Sequence, residues 1–397
     1  MMIHLTNIRW LVLLVLTVLL CTGVGCRTLP SHAPSTSEKE PDDLRIRFFN
    51  VGVGAMALVE CPADSLGRPS RPILIDGGSV SRNTTFSWPI SYVFGLLGNH
   101  PNKEMTRRKL KHILNGRKID LIITHPHLDH ANWISGLLDG VQVKHILLGG
   151  ELKEYKSPID VKKWIVEKGY LSITHFFKKE GWHNGGKPLG DNAEEPKIKG
   201  FGCGPAEVYV LTVNSPEVDF YPEKSLPNLR SAVILIQYND FRAIFPGDAE
   251  GSTEKTALAN LKYFKDLALD DSTSLPITVL AAAHHGTDTA HSNHPAWVEA
   301  TKPKVIVYSA GAWYGHPRCN TTERYQNNGL FEFDQEHLFQ CGKFGTVASL
   351  SYFIKSYSKQ AEFVTHLNGD VVITTKGRSY LRLEYGLSKR MEEIVQY

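Results

Sequence analysis

The stretch "LIITHPHLDHANW", Leu121 to Trp133, constrains this 397-residue chain more than any other. Three histidines and an aspartate fall within six residues, directly after an apolar run. The run reads as a short buried strand ending at Thr124, so His125 and His127 lie on the turn that follows. Two imidazoles two positions apart in an extended turn point to the same side, and one cation can take both. Asp129 and His130 leave the turn in another direction, where a helix can begin at "ANWISGLL", and can serve a second cation. Imidazole and carboxylate are the ligands that zinc and similar divalent ions prefer. The plainer alternative is a solvated loop whose histidines cap a helix. Four such residues at this spacing after a buried strand weigh against it.

Strand patterns come in two batches around that stretch. In the first, "LRIRFFNVGVGAMALVEC" alternates around glycines, as two strands joined by a Gly-rich turn would. "RPILIDGG" follows as a third strand, "EMTRRKLKHILNG" as a helix with a glycine stop, then "DLIITH" and "VKHILLGG" as strands. Residues 151–205 are charged and glycine-interrupted, with a helix expected at "PIDVKKWIVEKG". The second batch is "AEVYVLTV", "SAVILIQYND" and "FRAIFPGD". After it come "STEKTALANLKYFKDLALD", an amphipathic helix with Ser252 or Thr253 placed to cap it, and the strands "ITVLAAAHHG" and "KVIVYSAG". "DVVITTKGRSYLRLEYG" reads as a terminal hairpin. No long βαβ alternation runs through the chain, which favours two mixed sheets packed together with helices outside.

The N-terminus differs in kind. "WLVLLVLTVLLCTGVGC", Trp10 to Cys26, is a nearly unbroken apolar run behind Arg9, short for a membrane span and suited to the core of a secretory signal. Small residues lead into Cys26, as in a bacterial lipoprotein signal, although Gly23 stands where leucine is usual; an uncleaved anchor is the alternative. The Pro-, Ser- and charge-rich residues 27–43 read as a flexible tether. The expected organisation is therefore a signal over 1–26, a tether over 27–43 and a folded domain over 44–397, exported and membrane-held. Net charge of +3 is too small to argue by itself for nucleic acid or membrane binding. Of the cysteines after Cys26, Cys319 and Cys341 could pair in an oxidising compartment, with buried free thiols the alternative.

His125-Pro126-His127-Leu128-Asp129-His130 resembles the HxHxDH signature of the metallo-β-lactamase superfamily, and further segments fit in the expected order. "FFNVGVGAMALV" and "ILIDGG" resemble the opening strands of the domain attached to ComEC-type DNA-uptake channels. "NLRSAVILIQYNDFRAIFPGDAE", with Asn228, Ser231, Gly247 and Asp248, resembles that domain's segment ending in Gly-Asp. "AAAHHGT", "YGHP" at Tyr314 to Pro317 and "THLNGDVVIT" complete a likeness that runs from about Leu44 to Leu383. Asn50 and Ala55 replace aspartates of the usual opening motif, and Thr287 replaces the serine after His-His-Gly.

The resemblance implies an α/β fold, a four-layer αββα sandwich with metals at one edge between the sheets. It implies His125 and His127 on one cation, Asp129, His130 and His285 on the other, and Asp248 bridging both. The cations would be zinc, with manganese as the alternative. Asp129 and Asp248 would orient a hydroxide, while His284 and His316 would face the substrate or leaving group. Taken alone, Asp248 in "PGDAEG" would read as a turn residue and His316 as a residue before a turn proline. The third histidine usual on the first cation is not evident; His145, His175 and His183 lie in the interval without a recognisable context. The expected activity is hydrolysis of phosphodiesters or related phosphate esters, nucleic acid among them. Lactam or amide hydrolysis, and binding without catalysis on a retained fold, are the alternatives. An apolar cluster over 86–97, from Phe86 to Leu97, fits either a lid or buried packing. The basic runs "RRKLKH" at 107–112 and "HFFKKE" at 175–180 fit phosphate contacts or solvated faces.

Overall fold

Strict alternation makes Leu44–Phe48 (β1) a strand with one face inward, and the Gly-rich loop after it returns the chain into Ala57–Glu60 (β2) and then Ile73–Ile75 (β3). The computed structural model describes residues 43–80, 102–190, 200–216, 226–261, 277–311, 314–343, 353–377, 380–386 and 390–395. The signal with Cys26, the tether up to residue 42 and the apolar cluster at 86–97 lie outside them. Among the described residues no helix is long and apolar enough to cross a membrane.

Lys103–Leu114 (α1) starts on Asn102, whose side chain accepts from the Glu104 and Met105 amides. It stops at Asn115 in the left-handed region. Arg107 and Arg108 of its basic run both bond to Glu104, a solvated helix face. Ile119–Ile123 (β4) is buried at every position and runs into Leu128–Ala131 (α2), earlier than the helix start expected at "ANWISGLL". Ile134–Leu137 (α3), Val143–Leu148 (β5), Val161–Glu167 (α4) and Thr174–Phe176 (β6) complete the first half.

Glu207–Thr212 (β7), Leu226–Leu229 (α5), Val233–Tyr238 (β8) and Phe241–Phe245 (β9) open the second half. Gly251–Leu261 (α6) begins one residue before Ser252, so Ser252 and Thr253 lie inside it and cap nothing. Thr253 instead donates to the Leu229 carbonyl at 3.3 Å, tying α6 to α5. Val279–Ala281 (β10), Pro295–Thr301 (α7), Val305–Tyr308 (β11) and Cys319–Gln326 (α8) follow. Glu332–Gly342 (β12) and Phe353–Gln360 (β13) then form a ribbon beside Glu362–Val364 (β14) and Thr365–Asn368 (α9). Val371–Thr375 (β15) and Tyr380–Tyr385 (β16) make the expected hairpin, but it is not terminal, because Arg390–Val395 (β17) pairs with β16.

The strands form a nine-stranded sheet ordered β17-β16-β15-β1-β2-β3-β4-β5-β6 and a six-stranded sheet ordered β14-β11-β10-β9-β8-β7. One buried cluster takes residues from both, including Phe48, Val59, Ile122, Ile234, Phe245 and Val307, and is the interface between the sheets. A second cluster packs α1, α3 and α4 on the outer face of the first sheet, and a third packs α6, α7 and α8 on the second. The layers are therefore αββα, as the sequence implied. The strand β3, β4, β5 and β6 pairings are parallel, as are β9, β10, β11 and β14. Their carboxyl ends deliver the loops in which such folds place their chemistry.

Both remaining cysteine pairs are joined, Cys61 to Cys203 and Cys319 to Cys341. The first links the end of β2 to the approach of β7 and so crosses from one sheet to the other. The second, one of the two alternatives the sequence left open for Cys319 and Cys341, links the start of α8 to β12.

Candidate metal centre

Thr124 ends β4, and its backbone amide and hydroxyl both donate to Asp76, at 2.7 and 2.8 Å. That pins the histidine turn to the end of β3. The turn is crowded by backbone: a Cβ at Gly78 would lie 2.5 Å from the His130 nitrogen, and one at Gly54 2.7 Å from the Asp129 carbonyl oxygen. No other residue lets these loops approach so closely. The Ala55 amide donates to that same Asp129 carbonyl at 2.9 Å, so the position where an aspartate is usual serves through its backbone. Asn50, the other departure, accepts from the Gly52 amide and shapes the same loop.

Four ligand-type side chains, Asp129, His130, Asp248 and His285, converge within 4.8 Å of one another, and His125, His127 and Asp248 do so beside them. Asp248 belongs to both groups. Its Oδ1 lies 2.9 Å from His130 Nε2 and 3.6 Å from His285 Nε2, while its Oδ2 lies 3.5 Å from His125 Nε2. His285 Nε2 is also 3.3 Å from Asp129 Oδ2. Asp248 reaches the site because "PGD" turns at the end of β9, where Gly247 holds φ 58° and the Asp248 amide donates to Ser231 at 3.1 Å. A Cβ at Gly247 would sit 2.7 Å from Thr124, so the two ligand loops are in contact.

Two outer partners set the ring tautomers. His130 Nδ1 faces Asp76 at 2.8 Å, and His285 Nδ1 donates to the Ser309 carbonyl at 2.7 Å. In each ring the other nitrogen is left to face the cluster, the arrangement metal-binding histidines adopt. The sequence carried Asp76 in "ILIDGG" without a role. Its signal was an aspartate immediately before Gly-Gly at a strand end, and it adopts φ 57° there.

Electrostatics favour a cation in this cluster. Burial, reinforced by the nearby His130, holds His125 down to about 3, so it stays neutral and ready to ligate. Burial opposes charge on His130 too, but the Asp248 and Asp76 carboxylates outweigh it and raise the group well above its ordinary value. His285 is raised against burial in the same way, by Asp248 and Asp129. Without a metal, the acidic cluster thus draws protons onto its histidines. Nitrogens also face nitrogens, His125 Nε2 to His127 Nδ1 at 3.0 Å and His130 Nε2 to His285 Nε2 at 3.4 Å. Converging ring nitrogens around shared carboxylates suit divalent cations.

His284 and His285 are brought to one carboxylate by an unusual backbone. Both are left-handed, φ 46° and 58°, which costs roughly 1–2 kcal/mol for each such non-glycine residue. Consecutive side chains of an extended strand point oppositely, yet here His284 Nε2 lies 3.7 Å from Asp248 Oδ2 while His285 faces Oδ1. His284 lies outside both ligand groups. His316 stands beside it, with ring centroids 6.4 Å apart, and 6.3 Å from His285. His284 and His316 each keep a buried Nδ1 without a hydrogen-bond partner among the described residues. His127, Asp129, His284 and His316 retain partial exposure, so the cluster opens to solvent across them.

The missing third histidine is not among the residues that gather here. His145 faces Asp120 at 2.9 Å and lies beside His175, their centroids 6.5 Å apart. His183 bonds locally to the Gly185 amide. None of the three enters either ligand group.

With this geometry in place, the class is settled by comparison. Residues 66–308, more than half of the chain, match the metallo-β-lactamase superfamily model, and the chain belongs to that superfamily. No curated protein matches it. Among solved structures it is similar to a substituted form of the CmlA β-hydroxylase, at 15% identity and TM-score 0.36, over 73% of this chain and 52% of that one. It is also similar to CmlA, a diiron β-hydroxylase from Streptomyces venezuelae, at 15% identity and TM-score 0.33, over 68% of this chain and 45% of that one. The chain thus spans about half the length of either.

Proposed function

We propose that the chain is a hydrolase that uses two divalent cations to cleave phosphate esters, phosphodiesters above all. The carrying observation is Asp248, whose two oxygens face different donor groups, Oδ2 toward His125 and Oδ1 toward His130 and His285. On this reading His125 and His127 would hold one cation, Asp129, His130 and His285 would hold the other, and Asp248, which belongs to both groups, would serve each. The nitrogen and oxygen donor set favours zinc, with manganese second. His125, His127 and Asp248 would give the first cation three protein donors, so the reading does not need a third histidine.

Such a pair, when bound, lowers the pKa of a water toward neutrality and offsets charge on the attacked and leaving oxygens. Phosphodiesters gain most from this, because their own negative charge must be neutralised. Asp129 and Asp248, whose carboxylates converge in the cluster, would orient the attacking water. His284 and His316 are kept neutral, both first by burial. Each can donate a ring N–H to a non-bridging or leaving oxygen. The likeness of "FFNVGVGAMALV" to the uptake-channel domain favours nucleic acid among the phosphodiesters.

The test is a screen of zinc- and manganese-loaded protein on bis(p-nitrophenyl) phosphate, DNA and a chromogenic β-lactam. Turnover of the phosphodiesters and none of the lactam is expected. Lactam turnover without phosphodiester cleavage would overturn the reading.

A further inference from the structure

Between Ala283 and Thr287 the chain makes a tight reversal through His284, His285 and Gly286, all with positive φ. Something must hold that reversal, because extended backbone would send one of the two histidines away from Asp248. The holder comes from outside the reversal. The side-chain amide of Asn293 donates to the Ala283 carbonyl at 2.9 Å and to the Thr287 carbonyl at 2.7 Å. Its two N–H groups therefore close the loop on either side of the histidines.

Asn293 is itself fixed at every polar atom. Its Oδ1 accepts from the Tyr325 hydroxyl at 2.9 Å, its amide donates to Glu254 Oε1 at 2.6 Å, and its carbonyl accepts from Arg324 Nη1 at 3.0 Å. Glu254 Oε2 also accepts the next amide, that of His294, at 2.9 Å. Asn293 is fully buried and left-handed at φ 55°, a conformation asparagine tolerates better than most residues. Ser292 adds a bond from its hydroxyl to the Ala249 carbonyl at 2.9 Å, beside Asp248. The loop carrying Asp248 meets the histidine loop again where the His284 amide donates to the Gly247 carbonyl at 3.0 Å.

We infer that Asn293, held by Glu254 of α6 and Tyr325 of α8, is the positioning residue that locks His285 and His284 against Asp248 and so completes the second cation's ligand set. The inference rests on the two-cation reading above. It assigns no contact between Asn293 and substrate or metal. The longer side chain of glutamine or the bulk of leucine would not fit between the two carbonyls, and aspartate would place oxygen against oxygen.

Asn293→Asp keeps size and the left-handed tolerance while removing both N–H donors. In the full-length protein, titration with cobalt should show two ions bound by the wild type. In the variant the first should bind as before and the second at least tenfold more weakly, with the visible spectrum reduced to that of one site. Amide hydrogen exchange on the metal-free proteins is the second readout. The His284 and Thr287 amides, bonded to the Gly247 and His284 carbonyls, should exchange at least tenfold faster in the variant. Tyr325→Phe, which removes only the hydroxyl, should shift both readouts in the same direction by a few fold, and it decides the matter if Asn293→Asp does not fold. Equal weakening of both ions, or unchanged binding and exchange, overturns the clamp. If the wild type itself binds fewer than two ions, the two-cation reading falls, and the exchange rates alone decide for or against the clamp.

Discussion

Adjacent histidines do different work here. His285 has its Nδ1 bound to the Ser309 carbonyl and turns Nε2 to Asp129 and Asp248, whereas His284 Nδ1 has no partner among the described residues and its Nε2 reaches Asp248 only at 3.7 Å. His285→Ala should therefore lose the second ion and activity together. His284→Ala should keep two ions and lose turnover by roughly the 10²–10⁴-fold that a positioned proton donor contributes. Elemental analysis beside turnover checks this, and the reverse pattern would show the two roles exchanged. The HxHxDH turn was legible from spacing alone, because an extended turn after a buried strand leaves imidazoles little choice of direction. Asp76 was not, since its role depends on β3 lying beside β4, a pairing between residues far apart in sequence. Asn293 was hidden for the same reason: nothing local marks an asparagine that bonds carbonyls 6 and 10 residues away.

Elements with a clear local signal were readable: β1 by alternation, β4 by the apolar residues Leu121 to Ile123, α1 by its glycine stop, although the left-handed residue that ends the helix is Asn115. The β12–β13 ribbon was not, because β13 is largely exposed and its alternation carries few apolar residues. Beside that ribbon, β14 buries Glu362, which accepts from Gln326 at 2.7 Å and Ser358 at 2.6 Å. Burial lifts its carboxyl from 4.5 to about 7. The folded chain thus holds this proton more tightly than the unfolded one. The stability it contributes is full below about pH 4.5 and is lost as pH rises to about 7. Glu362→Gln, neutral at every pH, should melt like the wild type at pH 4.5. At pH 8 it should melt a few degrees higher, from on the order of 1–3 kcal/mol. Thermal melts at the two pH values check it; a variant that melts lower at pH 8 would mean that the ionised carboxylate is what the fold uses.

At the scale of the whole molecule, we propose that the protein is exported, a reading that two disulfides and an apolar N-terminal run fit because such bonds persist in oxidising compartments. We propose lipid attachment at Cys26, with residues 27–43 as a tether whose typical reach is on the order of 20 Å. Cys26→Ser should then abolish fatty-acid labelling and leave a heavier, unprocessed chain; equal mass and no label in both proteins would favour an uncleaved anchor. The sandwich brings Asp248 from one sheet to histidines from the other, so the metal centre exists only when both halves are folded together. Metal content is thus the most direct test of the whole. Purified protein equilibrated with zinc and freed of excess should contain close to two ions per chain. Asp248→Asn should contain markedly fewer. A wild type that retains no zinc, or an Asp248→Asn protein that still holds two ions, would contradict a bridged pair of cations at this site.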